Sequence, residues 1–200
     1  MAANDLRIGG VILAAGASSR LGRAKQLLPY KGERLIDRMV SLFTDLPLSE
    51  VCLVYGARRA EIEPVIAKFS VTQVYNPDWS TGIAGSLQTG LTTLLALAPD
   101  LSAVLIALVD QPLLTITHFT AMLEMYRANP DSIIAAAYED IRGVPAIFPS
   151  CFFPELLSQK TQVGAKKLIK KYADQVIPFS CPEAAFDIDT EADYQRLLSS

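Results

Sequence analysis

Histidine and tryptophan each occur once in the 200 residues, and the three cysteines, Cys52, Cys151 and Cys181, are widely spaced. An odd number of cysteines without a close pair gives neither a disulfide framework nor a Cys-x-x-Cys metal motif. His118 has no Cys or His at ligand spacing in the sequence, so a surface or capping position is expected there rather than zinc. No Ser-His-Asp set or Cys-His pair is recognisable around the single histidine. Cationic residues are outnumbered, 18 Lys and Arg against 21 Asp and Glu for a net charge of −3, and without a general basic surface no nucleic-acid partner is expected. No apolar run reaches the ~18–20 residues of a membrane span, which excludes a membrane partner of that kind. The first seven residues lack a cationic region followed by a long apolar one, so a cytoplasmic location is expected. Linkers, low-complexity runs and repeats are missing too, and the expectation is one domain over residues 1–200.

What is present is an alternation of short β-rich runs with helical patterns, the signature of a three-layer α/β/α protein. Strands are expected at Gly10–Leu13, Glu50–Tyr55, Val71–Tyr75, Ala103–Val109 and Ile133–Ala137. Their continuous apolar runs suggest a mostly parallel sheet covered on both faces. Leu35, Met39, Val40 and Phe43 recur at helical spacing, as do Ile62, Val65, Ile66 and Phe69, and Phe119, Met122, Leu123 and Tyr126, with Thr117 as a cap for the last. Residues 139–143 read as a turn into a returning strand, Val144–Phe148, which makes the sheet mixed. Short helices at Phe152–Gln159 and Gly164–Tyr172, an edge strand at Gln175–Pro178 and a helix after Thr190, with Asp193 three residues on as a capping partner, complete the pattern.

The first strand runs into a small-residue loop, Ala14-Ala15-Gly16-Ala17-Ser18-Ser19, that closes on Arg20, Arg23 and Lys25. Backbone N–H groups can approach an anion there, and the cations supply charge to hold it. A Walker loop and a Gly-x-Gly-x-x-Gly fingerprint are both missing. Asp37 lies at a plausible distance for a ribose-binding acid but falls within a helical pattern, which argues against that role. Asp110 ends the most apolar strand, where open α/β sheets bind ligands. In Asp187-Ile188-Asp189 the two carboxylates share one side of an extended segment. Together these acids suit a hard divalent cation that keeps positions free for phosphate oxygens and water. A second small-residue stretch, Asn76 to Gly90, contains Gly82, Gly85 and Ser86 and leads into a helix.

Leu13-Ala14-Ala15-Gly16 with Ser18, Arg20, Gly22 and Lys25, then Leu27-Leu28-Pro29, resembles the signature of the molybdenum-cofactor cytidylyltransferase and guanylyltransferase group. The resemblance continues in order through residues 76–82, Asp110-Gln111-Pro112, Gly143-Val144-Pro145 and Asp187-Ile188-Asp189-Thr190. It implies a Rossmann-like nucleotidyltransferase (GT-A-like) fold and transfer of a nucleoside monophosphate to a phosphorylated, molybdopterin-type acceptor with release of pyrophosphate. It implies Arg20, Lys25 and Asp110 as catalytic residues, and Asp110 with Asp189 as ligands of Mg²⁺, Asp187 being the second candidate. Leu13, Ala14, Ala15, Gly16, Lys25, Gly82, Ser86 and Asp110 would bind the nucleotide, with Trp79 as a core aromatic or a lid. Cytidylyltransferase-like members carry Ala where guanylyltransferase-like members carry Gly in the Ala14-Ala15-Gly16 triplet, which implies CTP. A molybdoenzyme or its maturation chaperone is the implied partner.

On the acceptor side the chain departs from this group. Gly143-Val144-Pro145 stands where Gly-His-Pro is usual, and Thr161-Gln162-Val163-Gly164-Ala165-Lys166 where Gly-Asp-x-Gly-Ala-Arg is usual. Gly164 and Lys166 remain candidates for an acceptor phosphate. A sugar-phosphate or other small acceptor, or a non-catalytic nucleotide-binding protein that delivers a cofactor, stay open as alternatives.

Overall fold

A computed structural model describes residues 6–159 and 164–199. Its elements are β1 (Ile8–Ala14), a small hairpin of β2 (Pro29–Tyr30) and β3 (Glu33–Arg34), α1 (Leu35–Thr44), β4 (Glu50–Tyr55), α2 (Arg59–Ile66), β5 (Thr72–Tyr75), α3 (Ile83–Leu97), β6 (Ala103–Leu108), α4 (Ile116–Ala128), β7 (Ile133–Tyr138), β8 (Ile141–Pro149), α5 (Phe153–Ser158), α6 (Ala165–Lys171), β9 (Val176–Ser180) and α7 (Glu191–Leu198). Seven strands form one sheet in the order β5-β4-β1-β6-β8-β7-β9. All pairings are parallel except those of β8, which runs antiparallel to both β6 and β7. This is the mixed, mostly parallel sheet expected from the sequence.

Every residue of β1 is buried, because helices cover both faces of the sheet. Period-two alternation divides its side chains. Ile8 and Ile12 join a core with α1, α2, α4 and α7, while Val11 and Leu13 join one with α3, α5 and α6. β6 divides in the same way, Leu105 and Ala107 to the first core, Val104 and Ile106 to the second. Among the described residues, no helix is long and apolar enough to cross a membrane.

Several boundaries differ from the sequence reading. Thr115, not Thr117, caps α4: its backbone is extended, and its N–H donates to His118 Nδ1 at 3.2 Å. β8 begins at Ile141, so the turn shrinks around Glu139, which takes the left-handed conformation (φ 50°). Gln175 belongs to a 3-10 turn, and β9 continues to Ser180 by pairing with β7. Residues 150–152 form a 3-10 turn before α5, and α3 begins at Ile83, putting Gly85 and Ser86 on its first turn. Thr161 and Gln162 lie outside the described residues.

Candidate active site

β1, β4 and β6 run parallel, so their carboxyl ends share one edge, and the first loop lies along it. The chain turns at Ser18 (φ 54°) and Gly22 (φ 74°), with the Leu21 and Gly22 amides donating to the Ser18 carbonyl. The Ser18 hydroxyl accepts from the Lys25 backbone N–H at 3.1 Å, closing the loop. Two residues not singled out in the sequence hold this shape. Gln26, 1% exposed, donates its amide to the carbonyls of Ala14 (2.7 Å) and Gly16 (2.9 Å). Arg58 donates to Gly22 O at 2.6 Å and Ala17 O at 3.4 Å.

The backbone amides of residues 16–20 donate no hydrogen bond among the described residues. A Cβ built on Gly16 would meet nothing within 4 Å. Packing therefore does not require glycine at this position, and the open space leaves the backbone accessible to a ligand.

Below the loop, Asp110 is buried just past the end of β6. The segment after β9 folds back onto it, with the Ile188 N–H donating to the Asp110 carbonyl at 3.1 Å. That contact brings Asp189, 79 residues later in the chain, beside Asp110. The Lys25 ammonium sits between them, paired with Asp110 Oδ2 and with Asp189 Oδ1 at 3.0 Å, and it donates to the Ile188 carbonyl at 3.1 Å. Burial opposes the charge on Lys25, but Asp110 and Asp189 outweigh it, so its pKa is raised.

Arg20 pairs with Asp189 Oδ2 at 3.2 Å from a side chain 71% exposed, which leaves it free to move onto a ligand. Arg23 turns away to Glu191 and the Tyr194 ring. The Asp187 carboxyl is pushed above the usual range by partial burial and by the charges of Asp110 and Asp189. Asp110 Oδ1 is buried and has no hydrogen-bond partner among the described residues. An orphaned carboxylate oxygen among converging acids fits a hard divalent cation.

Above the acids lies a cleft of about 330 Å³. Leu13, Ala14, Ala15, Gly16, Lys25, Gly82, Ser86 and Asp110 all line it, together with Trp79 and Ile83. Trp79 is a half-buried wall rather than a core aromatic, seated on Gly56, where a Cβ would come within 2.5 Å of its own Cβ. Ser86 is fixed by Asn76, whose amide donates to its hydroxyl at 3.0 Å. Gln111 donates to the carbonyls of Val144 and Ala184, tying the strand that carries Asp110 to β8 and to the segment before Asp187. Gln26, Arg58 and Gln111 act on main-chain carbonyls that only folding brings near, so the sequence carries no local signal for them.

Exposed Lys166 lines a separate groove with Arg142, Lys167 and Lys170. Gly164 lies against Ile83 at the start of α3, where a Cβ would come within 2.9 Å.

A cationic loop and paired carboxylates at the carboxyl edge of a mostly parallel sheet define a Rossmann-like nucleotidyltransferase of the GT-A type. The chain belongs to the MobA-like NTP transferase family, whose domain matches residues 10–176. It is 34% identical over 206 residues to nicotine blue oxidoreductase of Paenarthrobacter nicotinovorans, covering 94% of this chain and 95% of that one. Identity to the molybdenum cofactor cytidylyltransferase of Escherichia coli is 25% over 185 residues, 92% of each chain. The crystal structure of Rv0371c from Mycobacterium tuberculosis matches with a TM-score of 0.81 at 28% identity, over 97% of this chain and 99% of that one. A manganese complex of Rv0371c matches with a TM-score of 0.79 at 26% identity, over the same shares of the two chains.

Proposed function

We propose that the protein transfers CMP from CTP to a phosphorylated acceptor of the molybdopterin type and releases pyrophosphate. The observation that carries this reading is the convergence of Asp110, Asp189 and Lys25 beneath a cleft whose rim is a row of free amides. The likeness to a molybdenum cofactor cytidylyltransferase supports the acceptor class, and the manganese complex of Rv0371c supports a divalent cation. Alanine in the Ala14-Ala15-Gly16 triplet, as the resemblance to the cytidylyltransferase-like members implies, supports CTP as the donor.

Asp110 and Asp189 would hold Mg²⁺, with Asp187 beside them. Bound there, the cation supplies positive charge to the phosphates undergoing substitution. The loop amides and Arg20 take the β- and γ-phosphates, where negative charge grows as pyrophosphate leaves. Lys25, paired with both acids, holds them in register. Gly82, Ser86 and Trp79 hold the nucleoside, so that the α-phosphorus faces the acceptor. An acceptor phosphate oxygen attacks that phosphorus in line, and one P–O bond forms as the α–β anhydride bond breaks. A phosphate nucleophile is already ionised, so no histidine base is needed, in keeping with the catalytic set Arg20, Lys25 and Asp110.

Incubation with each of the four nucleoside triphosphates, Mg²⁺ and either molybdopterin or a sugar phosphate, scored for pyrophosphate, tests the reading. Release with CTP and molybdopterin is expected. Release only with a sugar phosphate, or preference for GTP, would replace the acceptor or the base in this account.

A further inference from the structure

Away from the cleft, folding brings together three side chains that are remote in sequence. His118 lies on the first turn of α4, and Cys181 and Glu183 lie just beyond β9. His118 Nε2 is 3.6 Å from Glu183 Oε2, and Cys181 Sγ is 3.9 Å from the same oxygen. All three potential ligand atoms lie within 4.8 Å of one another. In tetrahedral zinc, bonds of about 2.0–2.3 Å place neighbouring N, O and S donors ~3.3–3.6 Å apart. Small side-chain rotations would close the difference. The Cys181 side chain is fully buried, while those of His118 and Glu183 are 21% and 43% exposed, so an ion can enter from solvent.

We propose that His118, Cys181 and Glu183 form a zinc site separate from the cleft, with the fourth position open to water. The donor set, one imidazole, one thiol and one carboxylate, suits a borderline-soft cation rather than Mg²⁺. His118 Nδ1 accepts from the Thr115 N–H, which puts the proton of the neutral ring on Nε2, facing Glu183. Zinc on Nε2 needs the ring proton on Nδ1, where the Thr115 hydroxyl, 3.2 Å away, would accept it, and the Thr115 N–H gives up its bond to Nδ1. The outer hydrogen bond would then orient the ring, as is usual for zinc-bound histidine. The Cys181 proton leaves to solvent. Burial raises the pKa of this thiol, the Ala184 amide pulls it the other way, and the bound cation supplies the larger opposing charge.

The site would pin the start of the segment that ends at Asp187 and Asp189. Three residues beyond Cys181, the chain passes Ala184, whose carbonyl takes the Gln111 amide, and then docks Ile188 on Asp110. Zinc would therefore steady the candidate acids from outside.

Cobalt(II) titration of the whole chain reads the site directly, because a cysteine-bound cobalt ion shows a thiolate charge-transfer band and one held by Asp110 and Asp189 does not. The band is expected in the parent protein, in Cys52→Ser, in Cys151→Ser and in Asp110→Asn, and it should vanish in Cys181→Ser. Glutamine keeps the capping role at the third helical position, so His118→Gln should fold and bind zinc at least ~10-fold more weakly. No band in the parent protein, a band that survives Cys181→Ser, or unchanged zinc affinity in His118→Gln would overturn the proposal.

Discussion

Lys25 is the residue on which the candidate site turns. Its side chain is 13% exposed and that of Asp110 is 11% exposed, so the pair is screened little by solvent. Lys25→Met would leave Asp110 without its cation and should cost about 3 kcal/mol, by analogy with other broken buried pairs. Adding Asp110→Asn should return part of that loss, and urea unfolding of the single and double variants measures both. Gly16 behaves in the opposite way. Because a Cβ there meets nothing, Gly16→Ala should leave the melting temperature unchanged while weakening nucleotide binding, read by calorimetry. Asp193 gives a pH signature. Hydrogen bonds from Thr190 lower its pKa from 3.8 to about 2, against an opposing effect of burial, with Arg196 also contributing. Its stabilisation is therefore complete above pH 3.8 and is lost as pH falls towards about 2. The stability gap between the parent protein and Asp193→Asn should close over that interval.

Among the elements, α3 is constrained most closely. Gly90 faces β1 and β4, and a Cβ there would lie 2.8 Å from Val54 Cγ2 and 2.9 Å from Val11 Cγ1. Overpacking of this kind costs about 1–3 kcal/mol, against a gain of at most ~1 kcal/mol in helix propensity. Gly90→Ala should be destabilising, and it should also raise the KM for nucleotide because the start of α3 lines the cleft. The strands were legible from the sequence because their apolar runs are long and flanked by helical periods. β6 and Asp110 stand almost where the residues predicted them. Boundaries set by a single hydrogen bond were not legible. Thr115 and Thr117 are equivalent as residue types, and only the bond to His118 decides between them. Pairing with β7 likewise carries β9 to Ser180, beyond the Pro178 at which its own sequence pattern stops.

At the scale of the whole molecule, the sheet brings together chemistry that the sequence scatters. Asp110 was readable as a strand-end acid, whereas its partnership with Asp189 came from resemblance and then from the Ile188–Asp110 backbone contact. His118 takes the capping position that the sequence suggested. Linear spacing hid Cys181 and Glu183, which a returning segment brings back to α4. If Asp110 and Asp189 serve one cation, their losses should not add. The most direct test is pyrophosphate release from CTP by the parent protein, Asp110→Asn, Asp189→Asn and the double variant, with Mg²⁺ and molybdopterin present. The account predicts that each single change removes nearly all turnover and that the double variant is scarcely worse than either. Turnover in Asp110→Asn equal to that of the parent protein, or losses that multiply as for independent sites, would contradict it.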